Sequence, residues 1–125
     1  MGWESLKRFS LLCLAISLLV MCGETYTEDE LFQQGMNARV QEQYEEAIER
    51  FSQLVEEYPE SDQAAQALFL MGYLYANDLK DYEKAATYYQ RYVDQYPDHE
   101  MASSAQWELD NLGKNPEDVI GNTQN

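Results

Sequence analysis

The hydrophobic positions of this chain recur in two segments that stand a constant distance apart. Residues 41–59 read QEQYEEAIERFSQLVEEYP, and residues 79–97 read LKDYEKAATYYQRYVDQYP. In each segment the apolar side chains follow helical i, i+3, i+4 spacing, which predicts an amphipathic helix. Superposing the segments pairs five residues at one offset of 38 positions: Tyr44 with Tyr82, Ala47 with Ala85, Phe51 with Tyr89, Val55 with Val93, and Pro59 with Pro97. A fixed offset of this size indicates a solenoid of stacked helix pairs.

A second helical pattern precedes each segment, with Gly35 in the first and Gly72 in the second. With a further pattern after the second segment, the chain is predicted to form five helices, over residues 28–40, 42–57, 62–76, 82–95 and 99–112. Thr27 and Glu30 have the spacing of a capping box at the start of the first helix. The predicted N-caps of the third, fourth and fifth helices are Ser61, Asp81 and Asp98, and the fifth is predicted to end at Gly113.

These residues resemble the signature of the tetratricopeptide repeat, in which small and large side chains occupy set positions. The first copy is Gly35, Tyr44, Ala47, Phe51 and Pro59, and the second is Gly72, Tyr82, Ala85, Tyr89 and Pro97. The resemblance covers about residues 28–113 and implies an all-α fold, a short α-solenoid of antiparallel helix pairs. It divides the domain into repeat 1 (28–59), repeat 2 (60–97) and a capping helix (98–113). In this family the glycine and alanine lie where the two helices of a repeat approach most closely.

Two features depart from the family pattern. Thirteen steps separate Pro59 from Gly72, about three more than the usual 34-residue repeat allows. The second repeat also has one residue more between its glycine and Tyr82, and we assign this insertion to the loop between the two helices. The Tyr-Pro connectors resemble those of bacterial envelope repeats, including a lipoprotein of the β-barrel assembly machinery and a periplasmic cell-division coordinator.

The fifth helix has no predicted partner helix. Thirteen steps after Pro97, where a full repeat would have its close-packing glycine, the chain has Asp110. A carboxylate is poorly suited to a buried helix crossing, so we interpret this helix as a polar cap that ends the solenoid. Beyond it, residues 114–125 contain Pro116, Gly121 and many polar residues, which predicts a mobile tail.

The N-terminal residues differ in kind from the rest. Lys7 and Arg8 precede an apolar run over residues 9–21, which is shorter than the roughly 20 residues of a membrane-spanning helix. This pattern is typical of a secretory signal peptide, here residues 1–21. The run ends at Cys22 in a sequence that resembles the lipobox of bacterial lipoproteins. The resemblance implies a lipid anchor on Cys22 and an anchor linker over residues 22–27.

The lipobox resemblance is incomplete. Leu19 and Val20 fit the pattern, whereas Met21 stands where the family prefers a small residue. An ordinary signal peptidase, which would release a soluble periplasmic protein, therefore stays an alternative. Gly23 rather than aspartate follows the cysteine, which in lipoproteins of the enteric type implies the outer membrane. Removal of the signal would also remove Cys13 and leave Cys22 as the sole cysteine, so no internal disulfide is expected.

Composition narrows the classes of partner. The chain has 23 Asp and Glu against 8 Lys and Arg, a formal net charge of −15. This balance argues against nucleic acid, whose binding depends on cationic side chains that neutralise phosphates. Hydrophobic residues make up 45% and aromatic residues 13% of the chain. Disordered acidic chains are poor in aromatic residues, so this chain does not belong to that class. The sequence therefore describes a small, folded, anionic domain.

The resemblance also points to a binding surface, because repeats of this family usually bind peptides or helices on the face formed by the first helix of each repeat. One aromatic residue lies three positions before each glycine, or before the equivalent position of the fifth helix: Phe32, Phe69 and Trp107. Met36 and Tyr73 lie one position after it. These five residues are the predicted partner-binding groove, since aromatic side chains dominate binding hot spots. Packing between helices is the alternative role, above all for Phe69.

No residue pattern predicts catalysis. The triplet Asp98-His99-Glu100 falls in a connector and lacks a nucleophile, so it meets none of the geometric roles that a reaction requires. No metal site is expected, because zinc needs about four ligands, and no cofactor is expected either. The carboxylates of residues Glu42, Glu45, Glu46 and Glu49 fall on one helical face and are interpreted as a solvated surface.

The expected function is therefore a non-catalytic protein–protein interaction module, an envelope scaffold or adaptor that a lipid holds at the outer membrane. Its partner is expected to be an envelope protein or peptide. The alternative is a soluble periplasmic adaptor that self-associates, since two and a half repeats are near the minimum for independent stability. Outer-membrane protein assembly and cell-wall or division processes are both compatible with these residues.

Overall fold

The computed structural model describes residues 25–115 and Glu117. Within this part of the chain there are five α-helices and no strand: α1 (Glu28–Val40), α2 (Tyr44–Glu57), α3 (Asp62–Tyr73), α4 (Tyr82–Gln95) and α5 (Ala102–Asn111). A π-helical turn, Leu74–Asp78, continues α3. The all-α prediction is confirmed. The predicted signal peptide, the lipidation residue Cys22 and most of the predicted tail lie outside the described residues.

Three helix starts follow from side-chain caps, as predicted. The Thr27 hydroxyl accepts the Glu30 backbone N–H, and the Glu30 carboxylate accepts the Thr27 N–H at 2.8 Å. These carboxylate contacts hold the pKa of Glu30 below its usual value. Ser61 accepts the Gln63 N–H at 3.1 Å at the start of α3. Asp81 accepts the Lys84 N–H at 3.0 Å at the start of α4.

The helix pairs α1–α2 and α3–α4 pack closely because a glycine of one helix faces an aromatic ring of the other. A methyl group built on Gly35 would overlap the Phe51 ring, and one built on Gly72 would lie 2.8 Å from Cε1 of Tyr89. Both rings are fully buried. The core continues through the alanine-rich side of α3, which contacts both α2 and α1. The predicted place of closest approach within each repeat is confirmed.

The inserted residue of the second repeat lies in the helix and not in the loop, so that prediction is wrong. Glu42 and Lys80, which are 38 positions apart, both have a left-handed backbone, with φ of 59° and 56°. The two loops are therefore equivalent residue by residue, and the extra residue must precede Leu79. The Leu79 N–H donates to the Leu74 carbonyl at 2.9 Å, a π-type bond. A π-turn accommodates one additional residue without breaking the helix.

The structure also changes three predicted boundaries. α2 begins at Tyr44 rather than at residue 42, because Glu42 has the left-handed conformation of the loop. α-Helical hydrogen bonding in α3 ends at Tyr73, where the π-turn begins. α5 begins at Ala102 rather than at residue 99. The three extra residues of the second repeat extend α3 at its start, ten positions before its glycine, whereas α1 begins seven positions before Gly35.

The tyrosines of the two Tyr-Pro connectors join the end of each repeat to its own beginning. The Tyr58 hydroxyl donates to the Tyr26 carbonyl at 2.8 Å, and the Tyr96 hydroxyl donates to the Pro59 carbonyl at 2.7 Å. In each case the end of a second helix is bonded to the backbone just before the first helix of the same repeat. The proline ends the second helix of the repeat. The tyrosine next to it bonds that end to the backbone just before the first helix.

Asp98 does not cap α5, so that prediction is wrong. The N-cap is Met101, whose side chain makes no capping hydrogen bond. His99 occupies the connector position of Ser61, 38 residues earlier, and its Nδ1 accepts the Met101 N–H at 3.4 Å. The imidazole therefore takes the part in the second connector that the serine hydroxyl takes in the first. At the other end of α5, Gly113 has the left-handed φ of 71° expected of a helix terminator.

Candidate partner-binding surface

The structure places two of the predicted groove residues, Phe32 and Phe69, against aromatic rings of their own repeat. Phe32 lies 6.0 Å from Phe51 between ring centroids, and Phe69 lies 5.4 Å from Tyr89 and 5.9 Å from Tyr92 in edge-to-face geometry. Both phenylalanines are half-buried. Their rings cover the aromatic residue of the helix that follows, so they contribute to packing within each repeat.

Tyr73 is more open to solvent than the two phenylalanines. Met36 is half-buried against the core, and the Tyr73 side chain is 37% exposed. The Arg39 guanidinium lies 5.6 Å from the centre of the Tyr73 ring, so a cation of α1 contacts an aromatic residue of α3. This contact joins the two first helices of the repeats on one face of the solenoid.

Val40 is a surface residue that sequence reasoning missed. It is 79% exposed, the highest value among the large hydrophobic side chains of the described residues. It lies four positions after Met36, so the two share one side of α1. A cleft of about 340 Å³ lies beside it and is lined by Arg39, Val40, Glu42, Tyr44, Tyr73 and Asp78. The signal that could have found it is an apolar residue at the very end of a helix with no matching apolar residue in the other repeat.

Trp107 on α5 is 53% exposed. It lines a second cleft of about 560 Å³, together with Asn77, Lys80, Tyr82, Glu108, Asn111 and the residues that follow α5. At an offset of 38 positions Trp107 corresponds to Phe69, whose ring is covered by α4. No described helix follows α5 to cover Trp107 in the same way.

The other residues of α5 show why this helix tolerates its exposed position. Ala64, Ala67 and Met71 are buried in α3, and their equivalents in α5 stay apolar: Ala102, Ala105 and Leu109. Gly72 faces the Tyr89 ring of α4, and Ala65 and Leu68 are buried. Their equivalents in α5 are Ser103, Gln106 and Asp110, all exposed. α5 is therefore apolar towards repeat 2 and polar on the side where a further helix would pack, which supports the interpretation as a cap.

The two clefts differ from the rest of the surface in charge. They are lined by three cations, Arg39, Lys80 and Lys114, and by three carboxylates, Glu42, Asp78 and Glu108. The chain as a whole has 8 cations against 23 acidic residues. Burial raises the pKa of Glu108 above its usual value. Trp107 thus lies in a cleft with two cations and one carboxylate, whereas Val40 and Tyr73 lie in a cleft with one cation and two carboxylates.

The clustered carboxylates of the α2 region are all exposed, in agreement with their interpretation as a solvated surface: Glu42, Glu45, Glu46 and Glu49. Within residues 25–115, no group of three or more acidic, histidine or cysteine side chains is arranged to hold a metal ion. Over the same residues, no helix has the length and apolar character needed to cross a membrane.

His99 has a structural position in the connector between the second repeat and α5. The Tyr92 hydroxyl lies 2.5 Å from its Nδ1. Because the Met101 N–H also points to this nitrogen, Nδ1 is an acceptor and the tyrosine hydroxyl is the donor. Asp62 is the nearest carboxylate, 4.0 Å from Nε2. His99 therefore fastens the start of α5 to α4.

Comparison with known protein families agrees with this geometry. The model of a family described as tetratricopeptide repeat matches residues 32–100, more than half of the 125-residue chain. The match begins inside α1 and ends in the connector before α5. No curated protein matches the chain.

Proposed function

The chain belongs to the tetratricopeptide repeat family, whose members are typically non-catalytic modules for protein–protein interaction, and we propose that it is an adaptor that binds an envelope protein or peptide on the surface formed by α1, α3 and α5. The surface comprises Met36 and Val40 of α1, Tyr73 of α3 and Trp107 of α5. Phe32 and Phe69 support it from below through their packing on α2 and α4.

One observation carries this proposal. Val40, Tyr73 and Trp107 are exposed large hydrophobic residues that line two clefts, and the wall of each cleft contains both cations and carboxylates. Apolar side chains bordered by polar groups are typical of protein-binding surfaces. Elsewhere the described surface is strongly acidic, so a partner there would interact mainly with negative charges. Binding through the clefts therefore relies on apolar contact, with the charged rim selecting among partners.

The location of the adaptor is part of the proposal and rests on the N-terminal sequence. The basic and apolar pattern of residues 1–21 supports export, and Cys22 at the end of that run supports a lipid anchor on the periplasmic face of the outer membrane. The alternative is a soluble periplasmic adaptor that self-associates. In both cases the envelope process served is either outer-membrane protein assembly or cell-wall and division activity.

Partner binding is tested by photo-crosslinking from single positions. A photoreactive residue at Val40 or Tyr73 is expected to capture a defined envelope protein, whereas one at the exposed Glu56 of α2 is the matched control on another surface. The captured protein is then purified, and its Kd is measured against Val40→Ser and Tyr73→Ala. Each is expected to weaken binding by about tenfold, as for a moderate hot-spot residue. Equal Kd values for these variants and for Glu56→Gln would contradict the proposal.

Phe69→Ala and Trp107→Ala separate packing from binding. Phe69→Ala is expected to lower stability, because its ring covers Tyr89 and Tyr92. Trp107→Ala is expected to leave stability nearly unchanged and to weaken binding. If the folded fraction of both variants captured the partner as well as the parent does, the predicted groove would be wrong.

The anchor is tested separately with labelled palmitate. Labelling is expected in the parent and to be lost in Cys22→Ser, while Cys13→Ser keeps it. An unlabelled parent whose mature chain begins at Gly23 or later would remove the lipid anchor and leave the soluble adaptor.

A further inference from the structure

The two clefts of the candidate surface are equivalent positions in successive repeats. The α1–α3 cleft is the one lined by Val40, and the α3–α5 cleft is the one lined by Trp107. At the offset of 38 positions their walls share three pairs of residues: Glu42 with Lys80, Tyr44 with Tyr82, and Tyr73 with Asn111. Asp78 lines the first cleft and its neighbour Asn77 lines the second, so the two clefts adjoin at the π-turn.

The loop residue at the equivalent position of these clefts changes sign from one to the other. Glu42 and Lys80 have the same left-handed backbone, and both side chains are exposed. Among the described residues, neither of them belongs to an ion pair. A negative and a positive charge therefore occupy the same place in two equivalent clefts, and within the described structure both are open to a ligand.

The other charges of the α1–α3 cleft strengthen its negative sign. Asp78 adds a second carboxylate, whereas the one cation of the wall, Arg39, lies 5.6 Å from the centre of the Tyr73 ring. The pKa of Tyr44 is raised, first by removal of the phenol from water and then by the Asp78 and Glu42 carboxylates. Arg39 has the smallest effect on this pKa and acts in the opposite direction. The cleft therefore suits a cationic side chain.

The α3–α5 cleft has the opposite balance of charge. Lys114 adds a second cation to Lys80, and Glu108 is the one carboxylate among the described residues of the wall. The Lys114 ammonium donates to the Asp110 carbonyl at 2.5 Å and to Asn111 Oδ1 at 3.4 Å. These bonds hold its charge at the end of α5. The cleft therefore suits an anionic side chain.

The distance between the clefts suits a short extended segment. Neighbouring packed helices lie about 8–10 Å apart, and an extended chain advances about 3.3–3.6 Å per residue. Four steps of extended chain therefore reach from one cleft to the other. Alternate side chains of such a chain face the same way. The side chain midway between the two ends then meets the exposed Tyr73 on α3, the helix between the two clefts.

We propose that the partner of this surface presents an extended segment with a basic residue, an apolar residue and an acidic residue at alternate positions. The basic residue lies in the α1–α3 cleft beside Glu42, the apolar residue contacts Tyr73, and the acidic residue lies in the α3–α5 cleft beside Lys80. This inference rests on the proposed function, since it gives the chemistry of the segment that the same surface binds. The order of the charges selects among partners that have similar apolar residues.

Fluorescence anisotropy with three labelled peptides tests the order of the charges. The full chain is used in mild detergent at about 0.15 M salt, where charges more than about 8 Å apart are largely screened. The mixed peptide is GKSLSEG with blocked ends; in the acidic peptide both charged residues are glutamate, and in the basic peptide both are lysine. The parent is expected to bind the mixed peptide about fivefold more tightly than either of the others, because each mismatched end exchanges an attraction for a repulsion.

Charge reversal in the loops should switch this preference. Glu42→Lys makes both clefts cationic and should favour the acidic peptide, whereas Lys80→Glu makes both anionic and should favour the basic peptide, each by about fivefold. Each substitution gives one loop the residue that the other loop already has in the same backbone conformation. The fold should therefore be preserved, which circular dichroism checks. The double variant Glu42→Lys/Lys80→Glu keeps the net charge and should again prefer the mixed peptide.

Glu56→Lys is the matched control, since it changes the net charge as Glu42→Lys does, but at an exposed position of α2 outside the clefts. It should keep the preference of the parent. Equal preferences in Glu42→Lys and Glu56→Lys, or no saturable binding of any peptide, would overturn the proposal. Photo-crosslinking from Val40 and Tyr73 then separates the two conclusions. Continued capture of a partner would leave the adaptor function standing, whereas no capture would remove that function too.

Discussion

Repeats 1 and 2 solve the same packing problem with different residues. In repeat 1 Gly35 receives the ring of Phe51, which is apolar throughout. In repeat 2 Gly72 receives Tyr89, whose hydroxyl is buried without a hydrogen-bond partner in the described structure. Burial raises the pKa of Tyr89 well above its usual value. The second repeat thus has a polar atom where the first has none.

The two repeats also differ in how a helix meets its loop. α1 runs directly into the loop at Gln41, whereas α3 passes through the π-turn that absorbs one extra residue. The loops themselves are the same, with Glu42 and Lys80 in the left-handed conformation. A change in chain length is therefore accommodated inside the helix, and the loop and the glycine contact on either side of it are preserved. Close packing and the turn tolerate less change than helical hydrogen bonding does.

The largest predicted effect comes from filling the glycine contacts. We expect Gly35→Ala and Gly72→Ala each to lower the free energy of unfolding by about 2–3 kcal/mol, because a methyl group would enter a filled core. The effect should be larger in repeat 1, where the overlap with the ring is more severe. Urea denaturation measures both. Gln33→Ala, exposed on the same helix as Gly35, is the control, and Gly35→Ala/Phe51→Leu should recover part of the loss. Parent-like stability of Gly35→Ala would contradict the assigned contact.

The next prediction concerns two tyrosines of α4 whose substitution should change the free energy of unfolding in opposite directions. Tyr89→Phe removes the unpartnered hydroxyl and should raise the free energy of unfolding by about 1 kcal/mol, bringing repeat 2 closer to repeat 1. Tyr92→Phe removes the hydrogen bond to His99 and should lower it by about 1 kcal/mol.

Thermal and urea unfolding of the two variants provide the comparison, and each is the control for the other. Burial raises the pKa of Tyr92 to about 12 and also raises the pKa of Tyr89, so both phenols should ionise well above pH 10 in an ultraviolet titration. A loss of stability in Tyr89→Phe would mean that the hydroxyl has a partner after all.

A smaller effect is expected at the left-handed loop positions. Glu42→Gly and Lys80→Gly should each stabilise the protein by about 0.5 kcal/mol, since the relief of left-handed strain exceeds the entropic penalty of glycine. Because the loops are equivalent, the two gains should be similar. Gln41→Gly, at an ordinary φ of −85°, should instead destabilise. Unequal changes in melting temperature would show that the loops differ more than their backbones indicate.

The final prediction separates the repeats by the pH dependence of their stability. α4 has a side-chain cap, Asp81, whereas Gln43 at the same position before α2 makes no capping hydrogen bond. The Lys84 backbone N–H lowers the pKa of Asp81. A lowered folded pKa means that the cap stabilises above the unfolded pKa and that this stabilisation is lost as pH falls through the folded pKa.

Two substitutions test this difference. Asp81→Asn should remove the fall in melting temperature that protonation of Asp81 causes at acid pH, since a neutral amide keeps its capping ability at every pH. Gln43→Asp should add a cap to α2 and a new acid-dependent gain of about 0.5–1 kcal/mol near neutral pH. Identical acid profiles for the parent and Asp81→Asn would contradict the capping role of the carboxylate.

Much of the fold could be predicted because it depends on local chemistry. Three of the four predicted N-caps are present, since a hydroxyl or carboxylate before a helix bonds the nearest free N–H groups. The exception, Asp98, failed because the neighbouring His99 side chain already reaches that backbone and is itself held by Tyr92 of another helix. A contact from a distant element decided a choice between two adjacent polar residues.

The candidate surface was less predictable. Register alone placed Phe32, Phe69 and Trp107 at equivalent positions, but equivalence on one helix says nothing about whether a second helix covers the side chain. Val40 was missed for the same reason, since its exposure depends on what lies beside the end of α1. Exposure is a property of the neighbours, and those neighbours are set by tertiary packing.

The sequence by itself determined the helix pairs, their period and the glycine–aromatic contacts, because helical periodicity and side-chain volume are read residue by residue. It also predicted a polar outer face for α5, through the polar residues that replace Leu68 and Gly72 of repeat 2. The tertiary structure alone decided that the inserted residue forms a π-turn, that His99 fastens α5, and that Val40 and Trp107 remain open. These three outcomes depend on which groups lie close in space, and that information is absent from any single helix.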